Sequence, residues 1–128
     1  MKRAAGKSHC PINYTLEILG DSWGLLIMRD ILFFGKRQYK EFIESEERIS
    51  TNILADRLKL LEKNGVIEKM CEQYLPTQKG LELIPILTEF ALWGSKYDAQ
   101  TSAPRMLVNL AKTNPIQFRK AMQDFPKK

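Results

Sequence analysis

The sequence predicts a mainly α-helical chain with one small β-hairpin, arranged as a winged helix-turn-helix, and three observations carry that prediction. The stretch from Ser50 to Gly65 reads as one helix with a start signal, an apolar stripe and a stop signal. A shorter amphipathic segment precedes it, across the polar connection Glu44-Ser45-Glu46-Glu47-Arg48. A segment of period two comes directly after it. Short helix, polar turn, capped helix and hairpin is the winged-helix order.

Taken along the chain, Cys10-Pro11 opens the first element. Pro11 suits the first helical position, where its missing N–H is no loss, and this puts Cys10 at the N-cap. Ile12, Leu16 and Leu19, with Ile18, form a stripe that ends at Gly20. Asp21 or Ser22 can cap the next helix, in which Trp23, Leu25, Leu26, Ile27, Met28, Ile31 and Leu32 are apolar nearly all round. Such a helix is buried on both sides or lies in a subunit interface. Gly35-Lys36-Arg37 breaks it, and a short helix turns Tyr39, Phe42 and Ile43 inward and Lys40 and Glu41 outward.

In the long helix Ser50 can accept a hydrogen bond from the first turn, Leu54, Leu58 and Leu61 repeat at helical spacing, and Gly65 can take the left-handed stop. Its other face holds Thr51, Asn52, Ala55, Asp56 and Lys59. Taken alone, that pattern fits any amphipathic surface helix; the neighbours make it a candidate recognition helix. Val66 to Cys71 then alternates as a strand, Glu72-Gln73 makes the tight connection and Tyr74-Leu75 returns. Pro76 closes the hairpin, and Thr77 can cap one helix carrying Leu81, Ile84, Leu87, Thr88, Phe90, Ala91 and Trp93, with an irregularity at Pro85. Asp98 to Pro104 is linker-like; Met106, Leu107, Leu110 and Ala111, then Phe118, Met122 and Phe125, make two further short helices.

With 128 residues the chain is predicted to be one domain, residues 1–128, with a core that requires neither disulfide nor metal. No apolar run approaches the ~18 residues that a bilayer crossing needs, and no apolar segment of a signal peptide succeeds the basic start, so the expected location is cytoplasmic. Twenty Lys and Arg against fifteen Asp and Glu give a net charge of +5, which suits a polyanionic partner without requiring one. Residues 1–40 hold seven basic and three acidic side chains, whereas 41–70 hold five and seven, so a local patch from Lys36, Arg37 and Lys40 is the expected basic feature. Two cysteines lie far apart and there is one histidine, so neither a Cys10–Cys71 bridge nor a zinc cluster is expected. No nucleophile–base pair, paired carboxylates or phosphate-cradling glycine loop supports an enzyme or a cofactor.

Several pieces in order resemble the HxlR family of bacterial winged-helix transcriptional regulators, relatives of the MarR group. They are Cys10-Pro11; Leu19-Gly20-Asp21-Ser22-Trp23-Gly24-Leu25-Leu26-Ile27-Met28-Arg29-Asp30; Phe42; Ile49-Ser50; Leu54 to Ile67; Thr77-Gln78-Lys79-Gly80; and Leu92-Trp93-Gly94. The resemblance covers roughly residues 10 to 95. It implies a homodimer bound to double-stranded DNA, with dimerisation helices at about 11–20 and 77–125, a helix-turn-helix at about 38–65 and a wing at 66–76. Two such modules would read the half-sites of a pseudo-palindromic operator, on the nucleoid. Family members commonly have a long wing loop containing Pro and Arg, whereas here only Met70, Cys71, Glu72 and Gln73 separate Lys69 from Tyr74, and Glu72 has the wrong charge for phosphate. An interaction dimer that has lost operator binding is therefore the alternative.

Residue by residue, Ser50, Thr51 and Asn52 stand at the end that enters a major groove, and Asn can pair with adenine at two atoms. Ser50 can equally be a plain cap. Arg57 can reach phosphate or pair with Asp56 or Glu62 of its own helix; Lys59 completes that face, and Lys36, Arg37 and Lys40 would position the backbone of DNA. Cys10, at a helix N-terminus beside His9 and Lys7, has reasons for a reactive thiolate. Some HxlR-type regulators similarly use an N-terminal cysteine to sense electrophiles or oxidants; the other reading is an inert residue against the partner subunit. Cys71 reads as plain packing. The Trp23–Leu32 and Leu87–Trp93 faces can pack in an interface or line a cleft for a small-molecule effector.

Overall fold

The computed structural model describes residues 8–98 together with Gln100 and Ile116. Six helices and one hairpin occupy that span: α1 (Pro11–Leu19), α2 (Ser22–Leu32), α3 (Tyr39–Ile43), α4 (Thr51–Lys63), β1 (Ile67–Met70), β2 (Gln73–Pro76), α5 (Gln78–Leu81) and α6 (Ile84–Tyr97). The expected helices after residue 100 lie outside the described residues. Among the described residues no helix is long and apolar enough to cross a membrane.

The leucine stripe takes α4 into the core. Leu54, Leu58 and Leu61 are buried together with Ile27, Met28, Ile31 and Leu32 of α2 and with Ile18 and Leu19 of α1. Burying each such side chain contributes roughly 1.5–3 kcal/mol, so the three leucines anchor the helix by one face. Phe42 joins them from α3, and Tyr74 meets Phe42 edge-on, with ring centroids 6.2 Å apart. The hairpin is antiparallel, with Ile67 opposite Pro76 and Met70 opposite Gln73. The Tyr74 N–H donates to the Arg37 carbonyl at 2.7 Å, which docks β2 on the turn before α3.

Most start and stop signals work as the sequence indicates. Ser50 caps α4 by accepting from the Ile53 N–H, and Asp21 caps α2 by accepting from the Trp23 N–H. Gly20 and Gly65 end their helices at φ 85° and 73°. Thr77 caps α5, and its hydroxyl also donates to the carbonyls of Gly65 and Val66, pinning the end of the wing to the end of α4.

Four details differ. The helix expected to run from Thr77 past Pro85 is two helices separated at Glu82 and Leu83. Pro85 lies in the first turn of α6, where a residue without an N–H starts a helix rather than kinking one. The hairpin turn is at Cys71-Glu72, one residue earlier than expected, with φ 51° and 63° at the two positions. A tight turn with both central residues left-handed matches strand twist, and here it is made without glycine or asparagine. Cys71 is accordingly exposed in the turn, not packed. Tyr39 faces outward, while Glu41 folds back to accept from the N–H groups of Arg37 and Gln38 at 3.0 and 2.9 Å, capping α3.

Candidate nucleic-acid interface

Because α4 is anchored by its leucines, its opposite face stays bare. Ser50, Thr51, Asn52, Asp56 and Lys59 are exposed, and all but Lys59 lie in or next to the first two turns. The Tyr39 hydroxyl donates to the Thr51 carbonyl at 3.0 Å, tying α3 to the start of α4 and fixing how that end is presented. Lys40, on α3, is exposed beside it in sequence.

The other basic candidates are engaged inside the chain. Lys36 donates to Ser45 Oγ at 2.9 Å and stands 3.5 Å from Asp30. Asp30 is the reason: its carboxylate is buried in α2 and needs compensating charge and donors. Arg29 supplies two bonds to Asp30, at 3.0 and 2.7 Å, and Ser45 donates to its second oxygen. Arg29 also forks onto Glu47 at 2.6 and 2.9 Å and lies over the Phe34 ring, so α2 is tied to the connection between α3 and α4. Burial alone would push the Arg29 guanidinium down, but Glu47 and Asp30 outweigh it and raise its pKa.

Arg37 is half-buried, and its Nη1 donates to the carbonyls of Ile31 and Lys36 at 2.9 and 2.8 Å. Lys36 and Arg37 of the expected basic patch thus also brace α2 from within the chain, while Lys40 is exposed. Arg57 pairs with Asp56 on its own helix, as expected, and not with Glu62. Its main partner is Asp21, 36 positions away, through Nε–Oδ1 at 3.0 Å and Nη2–Oδ2 at 2.6 Å. The Arg57 hydrogen bond holds the Asp21 carboxyl below its usual range, and Asp21 holds the guanidinium up. Asp21, Asp30 and Ser45 carried no signal beyond a possible cap at Asp21, because the Asp21–Arg57 and Asp30–Ser45 pairings join residues 36 and 15 positions apart.

Cys10 is exposed at the N-cap of α1, and its side chain makes no capping bond. Among the described residues no group of three or more His, Cys, Asp and Glu could hold a metal ion. The α2 and α6 faces enclose an open groove of about 330 Å³, lined by Ser22, Leu25, Leu26, Arg29, Leu87, Phe90 and Ala91. Beyond it, Ile86, Phe90, Trp93 and Tyr97 form one exposed apolar stripe along α6, with Phe90 58% and Trp93 70% exposed. Ile12 and Leu16 are exposed likewise on α1.

A capped helix held by one face, set after a short helix and succeeded by a hairpin, defines the winged-helix class of DNA-binding regulators. The chain belongs to the HxlR-like helix-turn-helix family, whose model matches residues 18–102, and it is a transcriptional regulator of that family. It is 32% identical over 96 residues to the HTH-type transcriptional regulator YdeP of Bacillus subtilis strain 168, covering 69% of this chain and 73% of that protein. The crystal structure of PA1607, a candidate transcription factor, superposes with a TM-score of 0.62 at 36% identity, over 72% of this chain and 68% of the other. Quinone-bound YodB from B. subtilis superposes with a TM-score of 0.58 at 32% identity, over 68% of this chain and 98% of the other. The relatives are regulators, not enzymes.

The ion pairs give the fold a pH dependence. Glu47 is held below the usual carboxylate range chiefly by Arg29, and Glu41 by the N–H groups of Arg37 and Gln38. A carboxylate depressed by folding stabilises the native state above its unfolded pKa and loses that contribution as pH falls through its folded pKa. The urea midpoint should therefore drop as pH is lowered below about 4.5. Glu47→Gln should lower the midpoint at pH 7 and flatten the acid limb; an unchanged acid limb would mean that the Arg29–Glu47 fork does not support the fold.

Proposed function

We propose that the chain works as a homodimer that binds a pseudo-palindromic operator in double-stranded DNA, one α4 helix in each half-site, in the cytoplasm on the nucleoid. The observation that carries this reading is the bare N-terminal face of α4, exposed while Leu54, Leu58 and Leu61 are buried. Thr51 and Asn52 are assigned to base edges, with Ser50 capping and close enough to the helix start to meet phosphate. Lys40 and Lys59 are assigned to the backbone. Arg37 and Arg57, bonded within the chain, support the interface instead of touching DNA, and Lys36 supports it through Asp30. The apolar stripes of α1 and α6 are what a second copy would cover, since Ile86, Phe90, Trp93 and Tyr97 form a contiguous exposed apolar stripe of the kind that marks an interaction surface.

Titrating the chain onto duplex DNA at rising salt tests this. Two chains should bind each duplex that the protein selects from a random pool, and affinity should fall with a log–log slope of about −3.6 if Lys40 and Lys59 of both copies meet phosphate. Lys40→Ala should reduce the slope by roughly 1.8 for the dimer. A salt-independent affinity, or no preference for the selected duplex over random DNA, would leave the interaction-dimer alternative, which the exposed Glu68 and Glu72 of the short wing favour.

A second part of the reading concerns control. Cys10 is accessible, and YodB is known with a quinone bound, so an electrophile of that class is assigned as an effector acting on this thiol. The Cys10 S–H would add across the quinone: sulfur bonds to a ring carbon, the thiol proton passes to one quinone oxygen and the hydrogen of that carbon passes to the other, leaving a hydroquinone thioether. Quinone should release wild-type protein from DNA and leave Cys10→Ser bound. Equal release of both proteins would move the effector to the groove between α2 and α6, and a thiol that reacts with an apparent pKa at or above ~8.5 would rule out activation of Cys10.

A further inference from the structure

We infer that the Asp21–Arg57 fork is a positioning element for operator binding: it fixes the angle of α4 against the corner between α1 and α2, and Arg57 itself does not touch DNA. The inference rests on the operator reading above and concerns residues that the reading leaves outside the interface.

The corner is built around this pair. Gly20 ends α1 at φ 85°, and a Cβ there would lie 3.0 Å from Arg57 Cδ, 3.1 Å from Nε and 3.2 Å from Leu60 Cδ2. The side chain of Arg57 therefore lies across a glycine that leaves just enough room for it. Asp21, next in sequence, has two roles: it caps α2 through the Trp23 N–H and receives the fork from Arg57. Its carboxylate sits at the positive end of α2, which favours the charge. Two parallel N–H···O bonds fix direction as well as distance. The leucine stripe fixes which face of α4 is buried, and the fork adds a directional restraint on the angle of α4 against the corner between α1 and α2.

Charge explains why Arg57 is not a phosphate contact. One guanidinium faces two carboxylates, Asp21 and Asp56, so the three together carry one net negative charge. An approaching phosphate meets a repulsive cluster, and it would have to displace a carboxylate already held by a backbone N–H. The consequence reaches the dimer, because α1 carries the exposed Ile12 and Leu16 assigned to the partner copy. Turning α4 relative to α1 changes the spacing of the two recognition helices, which a two-half-site operator detects and random DNA does not.

Three variants of the full chain test this: Asp21→Asn, which can still cap α2; Arg57→Lys, which keeps the cation but loses the fork; and the double variant. Affinity is measured for the duplex that wild type selects from a random pool, and for random duplex, across a salt series. Each single variant should lose about tenfold on the selected duplex, a shift of about 1.4 kcal/mol. The double variant should be no weaker than either single one, and random-duplex affinity and salt slope should stay at wild-type values. If Arg57→Lys binds like wild type while Asp21→Asn binds more tightly, Arg57 is a phosphate contact restrained by Asp21 and the inference is overturned. Losses that add in the double variant overturn it too. A wild-type chain that selects no duplex overturns the operator reading, and any role of the pair in DNA binding with it.

Discussion

The interaction on which the rest depends is the burial of Leu54, Leu58 and Leu61 against α1 and α2. It commits α4 to the core along one stripe and leaves the opposite face exposed. A recognition helix needs both halves of that arrangement: firm attachment, so that binding does not have to order it, and a polar face that packing does not use. The cap at Ser50 and the Tyr39–Thr51 bond set where the helix starts, and the Thr77 hydroxyl fastens the far end of the wing to its close. The hairpin is tied to the same region a second time, at Tyr74–Arg37.

A second constraint comes from one buried acid. Asp30 lies in the core of α2, and leaving a carboxylate there unpaired would cost several kcal/mol. The chain answers with Arg29, Lys36 and Ser45, and Arg29 extends the network to Glu47. Two cations of a formally basic protein are thereby neutralised within the fold, Arg37 is committed to backbone carbonyls, and Arg57 to Asp21. The number of Lys and Arg side chains near the helix-turn-helix consequently overstates the cations left free to meet phosphate there. In the proposed complex, affinity would then depend more on the fit of Thr51 and Asn52 to base edges and on correct placement of two helices than on counterion release.

The same distinction between local and distant partners decides which features were legible in the sequence. Spacing and caps are local, so the boundaries of α1, α2, α4 and the hairpin could be read from Pro11, Gly20, Ser50, Gly65 and Thr77. The break at Glu82-Leu83 was not visible, because Pro85 is compatible with either a kink or a fresh helix start. Exposure on the N-terminal face of α4 was legible from its polar residues. The pairings of Lys36 with Asp30, Arg37 with the Ile31 carbonyl and Arg57 with Asp21 were not: each crosses a turn or a longer chain reversal, unlike the Arg57–Asp56 pair within α4, and a basic residue in a turn looks identical whether it faces solvent or a buried acid. The burial of Asp30 was hidden because its charged neighbour Arg29 lets the pair read as the solvent face of a largely apolar helix.

The central claim is that two α4 helices, held by their leucines and spaced by a dimer, read two half-sites. Hydroxyl-radical and base-methylation footprinting of the wild-type complex on its selected duplex addresses it directly. Two symmetric patches of major-groove protection are expected, centred about 10 base pairs or a multiple of that apart, with Asn52→Ala losing protection at one equivalent base position in each patch. A single protected patch, or uniform protection that Asn52→Ala leaves unchanged, would contradict it.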